Sequence, residues 1–221
     1  MKQTTAYKTD PRAVAPTRGQ ALANSLTHGI GALLSVIGTV ALIAGASQSG
    51  DAWKIVSFSI FGASLILLYL ASALYHGARR PELKRAFKTL DHCAIFLLIA
   101  GTYTPFTLVN LRGPWGWSLF GVVWGLALLG ILLQTGKRRH PVLAVVLYVV
   151  MGWTVVVAIR PLLHAIPPGG LALLVTGGLA YTAGIAFYAW KRLPYAHSVW
   201  HGFVLLGSAL HFFAILLFVV P

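Results

Sequence analysis

Acidic residues are scarce in this chain, which carries four Asp and Glu against 17 Lys and Arg among 221 residues. Charged residues make up only 10% of the chain, whereas 57% of residues are hydrophobic and the mean hydropathy is +0.79. A soluble domain of this size cannot cover so much apolar surface with so few charges. Cys93 is the single cysteine, which excludes an intramolecular disulfide. The composition predicts a membrane protein whose basic excess marks orientation and contact with anionic lipid, with no nucleic acid partner.

Seven apolar segments follow one another along the chain, each about 20 residues or longer and able to cross a bilayer. They are separated by short polar or Pro/Gly-rich breaks and cover residues 22–46, 53–76, 89–110, 114–134, 141–163, 169–190 and 196–220. We therefore expect an all-α integral membrane protein with two regions. Residues 1–20 form a flexible basic tail, and residues 21–221 form a seven-helix transmembrane domain. Within the domain, Gly29 and Gly31 predict close helix contacts.

The positive charges alternate between loops in a way that predicts the orientation. Of the 17 basic residues, 14 fall in the N-terminal tail and in the second, fourth and sixth breaks. The remaining three are Lys54, Arg112 and Arg160, and they fall on the other side. Because Lys and Arg concentrate on the cytoplasmic side of membrane proteins, the N-terminus is predicted to be cytoplasmic and the C-terminus outside.

A set of polar residues then falls at segment ends on the predicted cytoplasmic side. His76 ends the second segment, Asp91 lies near the start of the third, and His197 and His201 open the seventh. His197 and His201 are four residues apart and project from one helix face. Three histidines with an open fourth position are typical of a zinc site. Asp91, the only acid in an apolar segment, is placed to orient a water, take its proton or fix a histidine tautomer. One helical turn before His76, Ser72 is placed to hydrogen-bond to a metal-bound water or a ligand.

The remaining histidines are not assigned to the metal. His28 lies near the same face and is an alternative fourth ligand, but His28 and Asn24 are better placed to hydrogen-bond between helices. His92 lies about 100° around the helix from Asp91, so the two are not expected to face one ion. The others lie in a loop, on the opposite side, or about 15 Å deeper in the membrane; they are His140, His164 and His211.

These motifs resemble those of a known family. Ser72-Ala-Leu-Tyr-His76, Asp91 and His197-Ser-Val-Trp-His201 are similar to the S-x3-H, D and H-x3-H pattern of the progestin and adipoQ receptor superfamily. Asn24-Ser-Leu-Thr-His28-Gly resembles its bacterial hemolysin III branch. The resemblance implies a seven-helix bundle in a bacterial plasma membrane, with zinc on the three histidines, and with Asp91 near the zinc water and Ser72 beside it.

The same resemblance bears on activity. Related eukaryotic receptors and alkaline ceramidases imply hydrolysis of a lipid amide. One departure matters, because the family motif has an acidic residue shortly before the asparagine where this chain has Gln20-Ala21. Whatever that acid contributes in the family, this chain lacks it.

Two function classes are compatible with these residues. The first is a zinc-dependent hydrolase acting on a lipid amide or ester near the inner leaflet, with Asp91 as the base. The second is a receptor or regulator of membrane homeostasis in which zinc joins two helices structurally. An ion transporter with Asp91 as carrier has thin support, because the apolar segments contain one carboxylate and no charged relay. A pore has still less support, because the apolar segments contain no ring of charged residues.

The orientation gives the first testable prediction. A reporter active only in the cytoplasm should be active when fused at the N-terminus or after Arg139, and silent when fused after Pro221. The reason is the 14-to-3 division of basic residues between the two sides. Activity in the opposite pattern, measured with equal expression of each fusion, would overturn the placement of the histidines at the cytoplasmic face.

Overall fold

The computed structural model describes residues 17–136, 140–190 and 192–220, and it confirms the seven predicted spans. The part of the chain that the structure describes is helical throughout its regular elements and contains no strand. Each helix is long and apolar enough to cross a membrane, so the chain is a multi-pass membrane protein. The helices are α1 Arg18–Ser49, α2 Ala52–Gly77, α3 Pro81–Asn110, α4 Pro114–Thr135, α5 Pro141–Ala165, α6 Pro168–Ala189 and α7 Ala196–Phe218.

Helix starts follow local sequence chemistry, and two of them, at Arg18 and Pro81, lie at least one helical turn before the predicted starts. Four helices, α3 to α6, begin with proline at the first helical position, where a missing N–H costs nothing. Helix α3 begins at Pro81. The predicted start was residue 89, because the first two turns are polar and hydropathy alone does not identify them as helical. Thr17 caps α1. The predicted tail therefore ends earlier than residue 20, and residues 1–16 lie outside the described part.

Two of the spans contain irregular turns. Helix α3 ends in a π-helical turn after Pro105, where the Leu111 N–H donates to the Phe106 carbonyl at 2.9 Å. Helix α5 contains a 3-10 segment at Thr154–Ala158. The Tyr103 hydroxyl of α3 accepts from the Val155 N–H and donates to the Gly152 carbonyl, each at 2.9 Å. A side chain of a neighbouring helix thus satisfies backbone groups at this break, as hydrocarbon surroundings require.

Consecutive helices pack against each other, and α7 also packs against α1 and closes the bundle. Helix α3 lies at the centre, in contact with α2, α4 and α5. Its most apolar stretch is 72% buried, whereas that of α5 is 17% buried. The central position of α3 matters for the site, because Asp91 lies on this helix.

The surface of the bundle is more apolar than that of a soluble protein. Large apolar side chains such as Leu33 and Leu132 are exposed, while hydroxyl and imidazole groups are buried. Gly31 shows how the helices approach, since a Cβ there would lie 2.8 Å from both the Tyr69 ring and the Leu205 side chain. This confirms the predicted contact at Gly31 and brings α1, α2 and α7 together. At Gly29 the prediction is wrong, because nothing lies within 4 Å of a Cβ built there.

Candidate metal site

Helix α7 presents two imidazoles at its start. Tyr195, in the left-handed conformation with φ 57°, precedes Ala196, the first residue of the helix. His197 and His201 follow one turn apart on one face, with ring centroids 4.6 Å apart. His201 is buried and His197 is partly buried. The end of α7 therefore offers a pair of ring nitrogens directed into the bundle.

His76 of α2 lies close to this pair, although α2 and α7 are far apart in the sequence. It is the penultimate residue of α2, and its Nε2 lies 3.2 Å from Nε2 of His197. One ring nitrogen from each of His76, His197 and His201 lies within 4.8 Å of the other two. The three histidines that the sequence singled out are thus close enough to hold a metal ion.

The donor set fits zinc in number and chemistry, and the spacing of one nitrogen pair fits as well. A tetrahedral zinc ion with nitrogen ligands at about 2.0–2.1 Å holds those ligands about 3.3–3.4 Å from one another. The observed 3.2 Å between His76 and His197 is close to that value. Neutral imidazole nitrogens suit zinc and other borderline divalent metals. Three protein ligands leave a fourth tetrahedral position.

Thr27 of α1 fixes which nitrogen of His201 is available. The Thr27 hydroxyl lies 2.8 Å from the Ala23 carbonyl and 3.0 Å from the Asn24 carbonyl, to which its hydrogen is directed. Its oxygen lies 3.2 Å from Nδ1 of His201, and when its hydrogen is on a helix carbonyl the hydroxyl accepts from this nitrogen. This arrangement favours the tautomer with the proton on Nδ1 and leaves Nε2 with a lone pair for a metal. Sequence reasoning missed Thr27, although it lies within the Asn24 to His28 motif.

Helix α1 supplies two further buried polar residues beside the histidines. Asn24 accepts a hydrogen bond of 2.6 Å from the Ser198 hydroxyl, which confirms its predicted interhelical role. His28 is stacked on His201 with centroids 3.5 Å apart, and it meets Tyr69 edge to face at 5.0 Å. His28 is not one of the three clustered ligands. The predicted interhelical hydrogen bond of His28 is wrong, because both of its ring nitrogens are buried without a hydrogen-bond partner and its contacts are made by the face and edge of the ring.

Ser72 and Asp91 form a pair beside the cluster. The Ser72 side chain is buried in α2 and hydrogen-bonds to the Asp91 carboxylate of α3. Asp91 is not among the clustered ligands; its link to the site is Ser72, which lies one helical turn before His76 on α2. Tyr188 of α6 is within electrostatic range of Asp91, and its ring lies 6.1 Å from that of His197. Sequence reasoning did not single out Tyr188.

The other histidines lie outside the cluster, as the sequence predicted. His140 and His164 are exposed near the two ends of α5. His211 is directed away, with its Nε2 3.1 Å from the Leu174 carbonyl of α6. His92 lies on α3 next to Asp91 and does not belong to the clustered group.

A small pocket of about 150 Å³ opens beside His197 at this end of the bundle. Its lining includes Gln20, Asn24, Tyr188 and Tyr195, which come from α1, α6 and the segment before α7. Gln20, which with Ala21 stands where the resembled motif has its acidic residue or residues, hydrogen-bonds to Thr17 here. Its side chain accepts from the Thr17 N–H at 2.8 Å, while its own N–H donates to the Thr17 hydroxyl at 3.2 Å. Glutamine and glutamate serve equally at this position of a capping box.

Comparison with known proteins agrees with this geometry. Residues 19–212 match the family described as haemolysin-III related. The chain is 47% identical to "Hemolysin-3" of Bacillus cereus over 201 residues, which are 90% of this chain and 92% of that protein. It is 46% identical to "Hemolysin-3 homolog" of Bacillus subtilis (strain 168), over 90% and 94% of the two chains.

A more distant relative supports the wider superfamily. The human "Monocyte to macrophage differentiation factor" is 27% identical over 209 residues, which cover 90% of this chain and 84% of that protein. The family match extends from the first turn of α1 into the second half of α7, and so includes every residue of the histidine cluster. The chain belongs to the haemolysin III-related family of membrane proteins.

Proposed function

We propose that His76, His197 and His201 bind one zinc ion and that the protein is a zinc-dependent hydrolase of a lipid amide or ester near the inner leaflet. The observation that carries the proposal is the convergence of three ring nitrogens within 4.8 Å at one end of the bundle. The Thr27 contact supports it, because an acceptor on Nδ1 leaves Nε2 of His201 available. The bacterial relatives support a location in the plasma membrane of a bacterium.

The roles of the chain's own residues follow from their positions. Zinc, when bound, would supply Lewis-acid chemistry that makes water a nucleophile near neutral pH. Asp91 is the candidate proton acceptor, since its partner Ser72 lies one helical turn before the ligand His76. In this role Ser72 would donate to Asp91 and orient it. Tyr188, which is within electrostatic range of Asp91 and has its ring 6.1 Å from that of His197, is a candidate to hydrogen-bond to a polar group of a substrate.

The pocket beside His197 provides an approach for a polar linkage. It combines amide, hydroxyl and ring surfaces, and is therefore suited to an amide or ester group at the junction of a headgroup and an acyl chain. A site at the end of a spanning bundle meets the membrane interface, where such linkages lie. We assign lipid as substrate class on this basis.

A second function is favoured by where the ligands come from. His76 ends α2 and the other two histidines begin α7, so a bound ion would tie together helices that are distant in sequence. In a regulator of membrane homeostasis or a receptor, such an ion would stabilise the bundle without turnover. The hydrogen bond between Asp91 and Ser72 is compatible with both functions.

Metal content provides the direct test of the site. The purified protein should contain about one zinc ion per chain, and the combined His76→Ala, His197→Ala and His201→Ala variant should contain none, because it removes every ligand. The matched control is the His140→Ala and His164→Ala variant, which removes two exposed histidines and should keep its zinc. Stoichiometric zinc in the triple variant, by elemental analysis, would contradict the assignment.

Thr27→Val should weaken zinc binding by about 10–100-fold, the usual effect of losing a hydrogen-bond partner behind a metal-bound histidine. Thr27→Ser should bind normally, because it keeps the acceptor. Thr176→Val is the matched control, since the Thr176 hydroxyl also bonds to its own helix but faces no histidine. Affinity is measured by competition with a chelator of known strength. Unchanged affinity in Thr27→Val would show that this contact does not select the tautomer.

Asp91→Asn distinguishes the two functions. If Asp91 is the base, the variant should keep its zinc and its melting temperature but lose about 10²–10⁴-fold of its activity. Activity is measured on reconstituted protein with a ceramide and with a diacyl phospholipid as amide and ester probes. If the ion is structural, Asp91→Asn should work normally, whereas His201→Ala should lower the melting temperature. Full activity of Asp91→Asn at full zinc content would rule out the hydrolytic role of this residue.

A further inference from the structure

A groove runs along the outer seam between α1 and α2, on the face of α1 that points away from the histidine cluster. It has a volume of about 670 Å³ and is lined by apolar side chains and glycines, including Leu26, Gly29 and Leu33 of α1, Leu74 and Gly77 of α2, and Phe87 of α3. Asn24 and His28 are buried on one face of α1, whereas Leu26 and Leu33 are 56% and 63% exposed on the other. The groove is therefore separate from the metal site.

The shape of the groove comes from its glycines. Nothing lies within 4 Å of a Cβ built at Gly29, so this position forms an open floor between two exposed leucines. At Gly77, by contrast, a Cβ would lie 3.2 Å from the Ser25 hydroxyl, which donates to the Ala73 carbonyl and holds α1 against α2. The lining of α1 extends from Ser25 to Leu33, a rise of about 12 Å along the helix. This length and polarity suit part of an acyl chain.

One end of the groove is strongly basic. The lining residue Ala78 is followed directly by Arg79 and Arg80, both exposed. Residues 79–88 contain five basic residues and one acid, Glu82, which gives a net charge of +4. Glu82 lies 3.9 Å from Arg85, which does not contribute to the lining. The positive charges thus lie where the apolar groove reaches the ends of the membrane-spanning helices.

We propose that this groove is a binding site for an anionic diacyl phospholipid. One acyl chain lies along Gly29 between Leu26 and Leu33, and the phosphate contacts Arg79 and Arg80. Arginine matches phosphate in geometry as well as in charge, because its guanidinium donates two parallel hydrogen bonds. The basic end lies on the predicted cytoplasmic side, where anionic lipids attract such clusters. A zwitterionic lipid satisfies the apolar furrow but offers no net charge to the arginines.

The test measures lipid binding to the full chain by native mass spectrometry in detergent, with dioleoylphosphatidylglycerol and dioleoylphosphatidylcholine as probes. The phosphatidylglycerol should bind more tightly. Gly29→Leu fills the groove and should lower its affinity about 10-fold, because the acyl chain loses van der Waals contacts at this position. Gly121→Leu is the matched control, because Gly121 also has open space at its Cβ but lies on α4. It should bind lipid normally.

The charge is tested separately. Arg79→Gln and Arg80→Gln should each lower phosphatidylglycerol affinity about five-fold, following the energy of one basic residue near an anionic surface. They should lower phosphatidylcholine affinity less, because its phosphate is paired with a cationic choline. Arg160→Gln, at an exposed arginine on the opposite predicted side, should have no effect. Equal affinity for the two lipids would overturn the proposal. So would an effect of the arginine variants without any effect of Gly29→Leu, since that indicates surface attraction alone. Zinc content should stay constant in all variants, which separates this site from the proposed hydrolase.

Discussion

The approach of the C-terminal end of α2 to the N-terminal end of α7 is the contact around which the functional part of this protein is arranged. It sets two imidazole nitrogens 3.2 Å apart, although the residues that carry them are 121 positions apart in the chain. At this distance one neutral imidazole can donate its N–H to the other, and a bound cation would instead be shared by two lone pairs. The packing of α1 at Gly31, at the junction of the three helices, supports the approach.

The membrane explains why most of the polar side chains around the histidines are paired, although both ring nitrogens of His28 are buried without a hydrogen-bond partner. In hydrocarbon an unsatisfied polar group is costly, so buried hydroxyls and amides bond to backbone or to one another. Ser198 donates to Asn24, and Thr27 uses both its hydrogen and its oxygen. About two helical turns beyond His201, Tyr69 donates to Ser208 at 2.7 Å. Together these contacts fix the rotation of α7 and hence the direction of both its histidines.

Function in this family has to be considered together with the lipid that surrounds the bundle. The histidine cluster faces inward between α2 and α7, while the open furrow at Gly29 faces outward on the far side of α1. The same helix therefore separates a polar interior from an apolar groove. A lipid held at the groove would contact α1 and α2 only one turn from His28 and His76.

Much of this architecture follows from the sequence, because hydrocarbon imposes simple rules. Apolar runs of about 20 residues are sufficient to predict seven spans, and the order of His76, Asp91, His197 and His201 is sufficient to predict a cluster at one end. Hydropathy failed where helices extend beyond the hydrocarbon, as at Pro81, since a polar helical turn resembles a loop by composition. The expectation of a close helix contact at Gly29 was also wrong, because a glycine can either permit a contact or leave a gap.

Tertiary structure alone decided the second layer of the site. Thr27 resembles any helical threonine in the sequence, and only the packing of α1 against α7 brings its oxygen to Nδ1 of His201. The placement of Asp91 against Ser72, rather than among the histidines, depends on the position of α3 at the centre of the bundle. The stacking of His28 on His201 likewise depends on helix rotation. Local sequence determines the helices and their ends, but distances between helices arise from side-chain packing across the whole bundle, which no local pattern records.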